Sequence, residues 1–213
     1  MTIIVQTTAS ASSRDYDWLK ESIAKWSHRT NLSDVIPDFV MLAEKRINAD
    51  LDARAQDAIV PIVASMGVQA ATVPDDVAGI DSLSIPGFGT LDYLVPEQFN
   101  ERYTDETAGV PEHYTLVGQS LLLGPVPAQE YSLQCVARLR VPALADSAGI
   151  NWLIQKFPDV YLAASMCEAM VYMKDLPGQQ QWELKYAAAI SGLNSTDWDS
   201  AGSLAIRPST VTP

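Results

Sequence analysis

The chain has 213 residues, of which 47% are hydrophobic and 19% are charged, a composition that excludes a disordered polypeptide and suits one folded unit with an inserted lobe. Its formal net charge is −12, and residues 57–142 contribute −8 of it through 3 basic and 11 acidic side chains, which predicts a surface that repels phosphates rather than binding nucleic acid. Neither a run of about 18 apolar residues nor a basic segment before Ile3, Ile4 and Val5 is present, so no membrane span and no signal peptide are predicted.

Two helices are predicted in the N-terminal part of the body, residues 1–56. The apolar stripe of the first helix, within residues 16–28, consists of Leu19, Ile23 and Trp26. The stripe of the second consists of Val40, Ala43, Ile47 and Leu51. Ser33 or Asp34 is expected to cap this second helix, and Pro37 is tolerated in its first turn, where a missing backbone donor costs nothing.

Residues 57–142 have a different pattern, in which short apolar runs alternate with turn residues. That pattern is typical of an antiparallel β lobe inserted into a helical body. The predicted strands lie at residues 59–64, 69–73, 79–85, 114–117, 120–123 and 131–139. Tight turns are predicted at residues 86–89 and 117–120, and a short helix at residues 96–102.

The C-terminal part, residues 143–198, returns to a helical pattern. Helices are predicted at residues 150–157, 160–173 and 179–193, and residues 199–213 are rich in Ser, Thr, Gly and Pro, which indicates a flexible tail. The fold class is therefore α+β, an α-helical bundle of N- and C-terminal helices with an inserted antiparallel β lobe.

The helix at residues 160–173 carries a single charge and is apolar around nearly its whole circumference. Such a helix must be covered on both sides, so we expect part of this region to contact neighbouring subunits. The candidate interface residues are Tyr161, Met166, Met170, Met173, Trp182 and Tyr186.

The single charge of that helix is Glu168, and a carboxylate in an apolar helix needs a partner. We expect a structural ion pair between Glu168 and a basic group such as Arg46 or Arg54, rather than a catalytic role.

Little in the sequence indicates chemistry. Only His28 and His113 are available as imidazoles, and neither lies in a metal-spaced cluster. Two separated cysteines, Cys135 and Cys167, are interpreted as free thiols, and the acidic pairs 75–76 and 105–106 as solvated loop residues. No catalytic residue, cofactor or metal site is predicted, and the protein is not expected to be an enzyme.

A succession of short landmarks is more informative than any single motif. The landmarks run from Ala43-Glu44, Arg46-Ile47 and Leu51-Asp52-Ala53-Arg54 to Val73-Pro74-Asp75-Asp76, Leu91-Asp92-Tyr93-Leu94, Pro96-Glu97-Gln98-Phe99, Pro111-Glu112-His113-Tyr114-Thr115-Leu116-Val117-Gly118, Leu121-Leu122-Leu123-Gly124-Pro125-Val126-Pro127, Arg140-Val141-Pro142-Ala143-Leu144, Asn151-Trp152-Leu153 and Phe157-Pro158-Asp159-Val160-Tyr161-Leu162. In this order they resemble the head-to-tail adaptor proteins of short-tailed bacteriophages, over roughly residues 30–195.

That resemblance implies a structural subunit of the virion neck, made in the bacterial host cytoplasm. It implies a homo-oligomeric ring, a dodecamer, that binds the portal protein and continues the DNA channel. Tail, nozzle or tail-fibre components would attach to this ring, and DNA would pass through its lumen without specific binding. The acidic excess of residues 57–142 suits such a lumen, because an acidic wall lets DNA slide without sticking.

Two other functions remain open on the sequence. One is another ring or tube component of a phage tail, such as a tail terminator, although helices at both ends of the chain disfavour a β-rich tube protein. The other is a virion-associated cell-wall hydrolase, which would need a carboxylate of raised pKa and a second carboxylate in a cleft.

Overall fold

The computed structural model describes residues 14–29, 31–105 and 107–199, and these fold as two compact units. The helical unit contains the chain up to Ala53 and from Val141 onward, and the β unit is Arg54–Arg140. Helices and a mixed sheet are both present, so the predicted α+β fold class is confirmed. Of the tail predicted at residues 199–213, Asp199 is instead the last residue of the final helix, and residues 200–213 lie outside the described residues.

Five helices of the described chain belong to the helical unit and one to the β unit. The helices are α1 (Tyr16–Trp26), α2 (Ile36–Asp50), α3 (Pro96–Arg102), α4 (Trp152–Lys156), α5 (Pro158–Met173) and α6 (Leu176–Asp199). The short helix α3 in the β unit has the predicted bounds, whereas α6 extends well beyond its predicted apolar stripe because polar and small residues continue it.

The first two helices begin differently from one another. The carboxylate of Asp15 accepts a hydrogen bond from the backbone N–H of Trp18 (2.8 Å) and so caps α1. The expected cap of α2 at Ser33 or Asp34 was wrong: the N-cap residue is Val35, and no side chain bonds the helix start. Pro37 lies in the first turn, which removes one of the backbone donors that a cap would have had to satisfy.

Helix α5 lies at the centre of the helical unit. It packs against α1, α2, α4 and α6, and nine of its residues are buried, which explains why its sequence is apolar nearly all round. From α1, the side chains of Leu19 and Ile23 are fully buried in the same core, and each contributes about 1.5–3 kcal/mol of transfer free energy. The core of this unit is therefore built around α5 by its own chain.

The strands of the β unit form one seven-stranded sheet and one two-stranded sheet. The strands are β1 (Asp57–Ala64), β2 (Ala70–Thr72), β3 (Val77–Ile85), β4 (Gly89–Tyr93), β5 (Ala108–Gly109), β6 (His113–Val117), β7 (Ser120–Gly124), β8 (Val126–Pro127) and β9 (Tyr131–Leu139). The large sheet has the order β1-β9-β3-β4-β6-β7-β2, and the small one pairs β5 with β8. In β9 burial alternates along the strand, so one face supplies the core of the unit.

Both predicted turns connect neighbouring strands. Ile85 is paired with Gly89 across the β3–β4 turn, and Val117 is paired with Ser120 across the β6–β7 turn. Gly118 has a φ of +62°, a backbone conformation that glycine adopts without strain and that this two-residue turn requires.

The prediction of a purely antiparallel lobe was wrong. Strand β4 pairs with β6 in parallel, and β5 pairs with β8 in parallel. The reason is topological: the chain between β4 and β6 includes α3, which provides a crossover long enough for two neighbouring strands to run in the same direction.

Candidate assembly surfaces

All six predicted interface residues belong to the helical unit, and four of them are buried in its core. Tyr161, Met166, Met170 and Tyr186 are at most 8% exposed and pack into the core around α5. Met173 and Trp182 are partly buried and pack against this core from its rim. The physical reason is the central position of α5, whose apolar circumference is covered mainly by helices of the same chain.

The two buried tyrosines are also fixed by hydrogen bonds within the unit. The amide of Asn151 donates to the hydroxyl oxygen of Tyr161 (2.7 Å), and the hydroxyl of Tyr186 donates to a carboxylate oxygen of Asp50 (2.8 Å). Burial raises the pKa of both phenols above the ordinary value, so they stay neutral and act as structural donors and acceptors.

The ion pair predicted for Glu168 is not formed, because Arg46, one of its two predicted partners, pairs with a different carboxylate. Arg46 on α2 makes a two-pronged contact with the carboxylate of Glu183 on α6, and its guanidinium carbon lies 4.3 Å from the ring centroid of Tyr186. Hydrogen bonding from Arg46 holds the pKa of Glu183 below the ordinary carboxyl value. Glu168 is partly exposed, and among the described residues it has no ion pair within 4.0 Å.

The other predicted partner, Arg54, is exposed at the start of the β unit. Sequence reasoning missed Glu183 because the helix that contains this residue was interpreted only from its apolar stripe. Its spacing from Tyr186, three residues on the same helix, indicates that the two side chains share one face of α6, but not which helix that face meets.

One end of the helical unit exposes large apolar side chains around the junction of α5 and α6. Tyr172 is 57% exposed and Leu176 is 68% exposed, and Val171 and Met173 flank them. The ring of Tyr172 lies 5.4 Å from that of Phe39, and Leu42, one turn further along α2, is also exposed. We call Leu42, Val171, Tyr172, Met173 and Leu176 the α5-end patch. Exposed apolar groups grouped in this way are typical of contact surfaces.

A separate groove opens between α1, α5 and α6. It has a volume of about 510 Å³, and its walls are Trp26 and Trp182, whose rings meet edge to face with centroids 5.3 Å apart. The ammonium group of Lys185 lies 4.1 Å from the ring centroid of Trp182 and 5.5 Å from that of Trp26. The remaining lining residues are Asp159, Leu162, Ala163, Ala188 and Ala189. We call this space the two-Trp groove.

The β unit presents an acidic surface. All ten of its described acidic side chains are exposed, from Asp57 and Asp75 to Glu130, whereas its basic side chains in the described chain are Arg54, Arg102, Arg138 and Arg140. The edge strand β1 adds an apolar outer face, on which Ile59 and Val63 are 67% and 58% exposed. The β unit thus exposes both negative charge and apolar area to solvent.

A family model describing the SU10 adaptor protein matches residues 14–208, which is most of the chain. The chain belongs to the SU10 adaptor protein family. The match confirms the resemblance to phage head-to-tail adaptors that the landmark order indicated, and this adaptor is accordingly a bacteriophage structural protein with an adaptor role. No curated protein matched the chain in a parallel search.

The histidines and cysteines are the side chains of this adaptor best suited to chemistry, and three of the four are buried or held in a structural contact. The ring nitrogen Nδ1 of His113 is 2.7 Å from the hydroxyl of Tyr103, and His28 is exposed at the end of α1. Cys135 and Cys167 are free thiols, as expected, and both are buried; burial raises the pKa of Cys167 to about 12. In the part of the chain that the structure describes, no three His, Cys, Asp or Glu side chains are arranged to hold a metal.

None of the described helices combines the length and the hydropathy that crossing a bilayer requires.

Proposed function

We propose that twelve copies of this adaptor assemble into a closed ring beneath the phage portal, that the ring continues the DNA channel, and that tail, nozzle or fibre components attach to its far side. The observation that carries the proposal is the family match over residues 14–208. Membership of an adaptor family also favours a structural protein over the tail-terminator and hydrolase alternatives, and it favours a location in the virion neck after synthesis in the host cytoplasm.

A closed ring needs two different contact surfaces on every subunit, because each copy meets one neighbour on each side. We assign one of these surfaces to the α5-end patch, which retains Met173 from the predicted interface set and adds the exposed Tyr172 and Leu176. The other buried members of that set serve the core of their own subunit. Obligate interfaces are more apolar than ordinary surface, which suits this patch.

The patch assignment is tested by Leu176→Asp in the full chain. Burial of a leucine is worth about 1.5–3 kcal/mol, so its loss weakens each contact by about tenfold or more and shifts rings toward monomers. Light scattering coupled to size-exclusion chromatography measures the assembly state. The matched control is Leu184→Asp, at an equally exposed leucine of the same helix that lies outside the patch.

Leu184→Asp is expected to assemble like the unaltered protein. Equal disruption by both substitutions would show that the patch is not the contact, and intact rings with Leu176→Asp would show the same.

The acidic surface of the β unit is proposed to line or approach the DNA channel. All its described carboxylate side chains reach solvent, so they are available to a lumen without any rearrangement. An acidic wall neutralises few DNA phosphates. DNA therefore binds it weakly, with little dependence on salt, and can pass. A ring structure with a predominantly basic lumen would contradict this part of the proposal.

A further inference from the structure

We infer that the N-terminal segment of this chain, residues 1–13, docks with its Ile3-Ile4-Val5 run in the two-Trp groove of the same subunit. The inference goes beyond the proposed ring, because it concerns a contact inside one chain. It rests on three observations: the chemistry of the groove, the chemistry of the segment, and the length of chain that joins them.

The two-Trp groove is built for an apolar guest. Its floor includes three alanines, Ala163, Ala188 and Ala189, whose small side chains leave the space between α5 and α6 open. Its volume of about 510 Å³ is in the range of sites that hold a small ligand or a few side chains. Trp26 is 52% exposed, a large apolar area to leave in water at the end of a packed helix.

The charges of the groove favour an uncharged guest. Its charged lining residues are Lys185 and Asp159, and the ammonium of Lys185 already lies over both indole rings. Lys185 repels a positively charged guest and Asp159 a negatively charged one, and either guest would lose hydration against the apolar groups that form most of the lining. Residues 1–13 carry no charged side chain, and they include the aliphatic run Ile3, Ile4 and Val5.

The connection from this segment to the groove is long enough. Arg14 is the first described residue and directly precedes the cap of α1, and Trp26 is the last residue of that helix. The 11 residues of this helix correspond to about 17 Å along the axis. The nine links from Val5 to Arg14 can span about 30 Å when extended, so the run reaches the groove without help from a second copy.

The other terminal segment fits less well. Lys185 lies 14 residues before Asp199, the last residue of α6, which corresponds to about 21 Å of helix. Leu204 is five links beyond Asp199 and spans at most about 17 Å, so it falls short of the groove. Ile206 only just reaches it at about 23 Å, and its neighbour Arg207 would bring a second positive charge toward Lys185.

Disulfide trapping in the full chain tests the docking directly. The variant Ile4→Cys with Ala188→Cys places one thiol in the run and one on the groove floor, while the native Cys135 and Cys167 are buried and do not compete. Docking is expected to raise the rate of intramolecular disulfide formation in a glutathione buffer by roughly tenfold over an undocked tether.

The matched control is Ile4→Cys with Ala187→Cys. Ala187 is the preceding residue of α6, is exposed, and does not line the groove. The control therefore measures disulfide formation by the same N-terminal segment with a thiol on a different face of the helix. Equal rates for the two pairs would overturn the inference. Disulfide-linked dimers as the main product would overturn it as well, since they would show that the segment of another copy is the guest.

A second measurement does not depend on cysteine chemistry. In the full chain labelled with 5-fluorotryptophan, the triple variant Ile3→Ser, Ile4→Ser, Val5→Ser is expected to shift the ¹⁹F resonances of Trp26 and Trp182, each assigned by substitution with Phe. The control Thr7→Ser, Thr8→Ser is expected to leave both unchanged. Unchanged Trp26 and Trp182 resonances in the triple variant would also overturn the inference.

Discussion

The contact between Arg46 and Glu183 joins α2 to α6, two helices that are far apart in sequence but neighbours around α5. It combines a two-pronged hydrogen bond with stacking of the guanidinium on Tyr186, a geometry that lysine does not reproduce. Because the side chain of Glu183 is 45% exposed, solvent screening limits its contribution to about 1 kcal/mol.

Glu183→Gln is expected to lower the free energy of unfolding near pH 7 by about that amount. The pKa of Glu183 is lowered in the folded state, so its stabilisation is present above the unfolded-state pKa and is lost as the pH falls through the folded-state pKa. The difference between the two proteins should therefore vanish in acid, as measured by urea unfolding across pH.

The matched control is Glu21→Gln, which removes an exposed pair with Lys25 within one helix. Such a pair contributes only a few tenths of a kcal/mol, so little change is expected at any pH. A loss for Glu183→Gln that is no larger than for Glu21→Gln, or that persists in acid, would contradict the role assigned to the Arg46 contact.

At the scale of single residues, periodicity predicted most of the buried side chains of α1 and α2 but not which ones pair, and it was wrong for Trp26, which is 52% exposed because α1 ends there. Val40, Ala43 and Ile47 are all buried as their spacing indicated. Glu183 was missed as the partner of Arg46 because that pairing depends on how α2 and α6 pack against α5, which spacing within either helix does not record. The same packing explains why Tyr161 and Tyr186 lie in the core of their own subunit.

The elements of the β unit meet closely where β7 ends beside α3. A Cβ atom at Gly124 would collide with the ring of Tyr103, whose hydroxyl is bonded to His113. Glycine at this position therefore allows the close approach of strand and ring.

Gly124→Ala is expected to lower the free energy of unfolding by about 1–3 kcal/mol, because the Tyr103 ring must move and its hydrogen bond is disturbed. Gly79→Ala in β3 is the control: an added Cβ there meets nothing within 4 Å, and the loss of glycine freedom in the unfolded chain favours folding slightly. Thermal or chemical unfolding of both variants measures the difference. A Gly124→Ala protein as stable as Gly79→Ala would contradict the close approach.

Element types could be predicted from the sequence where the pattern was local. The predictions failed where they depended on pairing between segments distant in sequence. The alternation in β9 and the turn glycines predicted strand and hairpins, and α3 was predicted with its bounds. Strands β5 and β8 have two residues each, too short for any alternation, and the parallel pairing of β4 with β6 depends on a crossover rather than on either strand alone. The predicted α2 cap was wrong because the helix begins after both candidates, with Val35 at the N-cap, and Pro37 leaves one fewer backbone donor in the first turn.

For the whole molecule, the distribution of charge leads to a prediction about DNA passage. The triple reversal Asp76→Lys, Asp81→Lys, Asp92→Lys converts part of the acidic β unit into a phosphate-binding surface, since all three side chains are exposed. Particles carrying it are expected to assemble but to release DNA about tenfold more slowly at low salt, with the delay shrinking as salt is raised. DNA release from purified particles, followed with an intercalating dye, measures the rate.

The matched control reverses the same number of exposed carboxylates in the helical unit, with Asp34→Lys, Asp38→Lys, Asp146→Lys. Its release rate is expected to stay near that of unaltered particles. An equal delay in both variants, or no delay in the β-unit variant, would contradict the proposal that the acidic surface lines the channel.

The most direct test of the proposed ring is electron microscopy of the purified adaptor, alone and mixed with portal particles of its phage. The account predicts closed rings of one copy number, twelve, seated coaxially on the portal with a continuous central channel. An adaptor that stays a single subunit both in solution and on the portal, or that does not bind the portal at all, would contradict it.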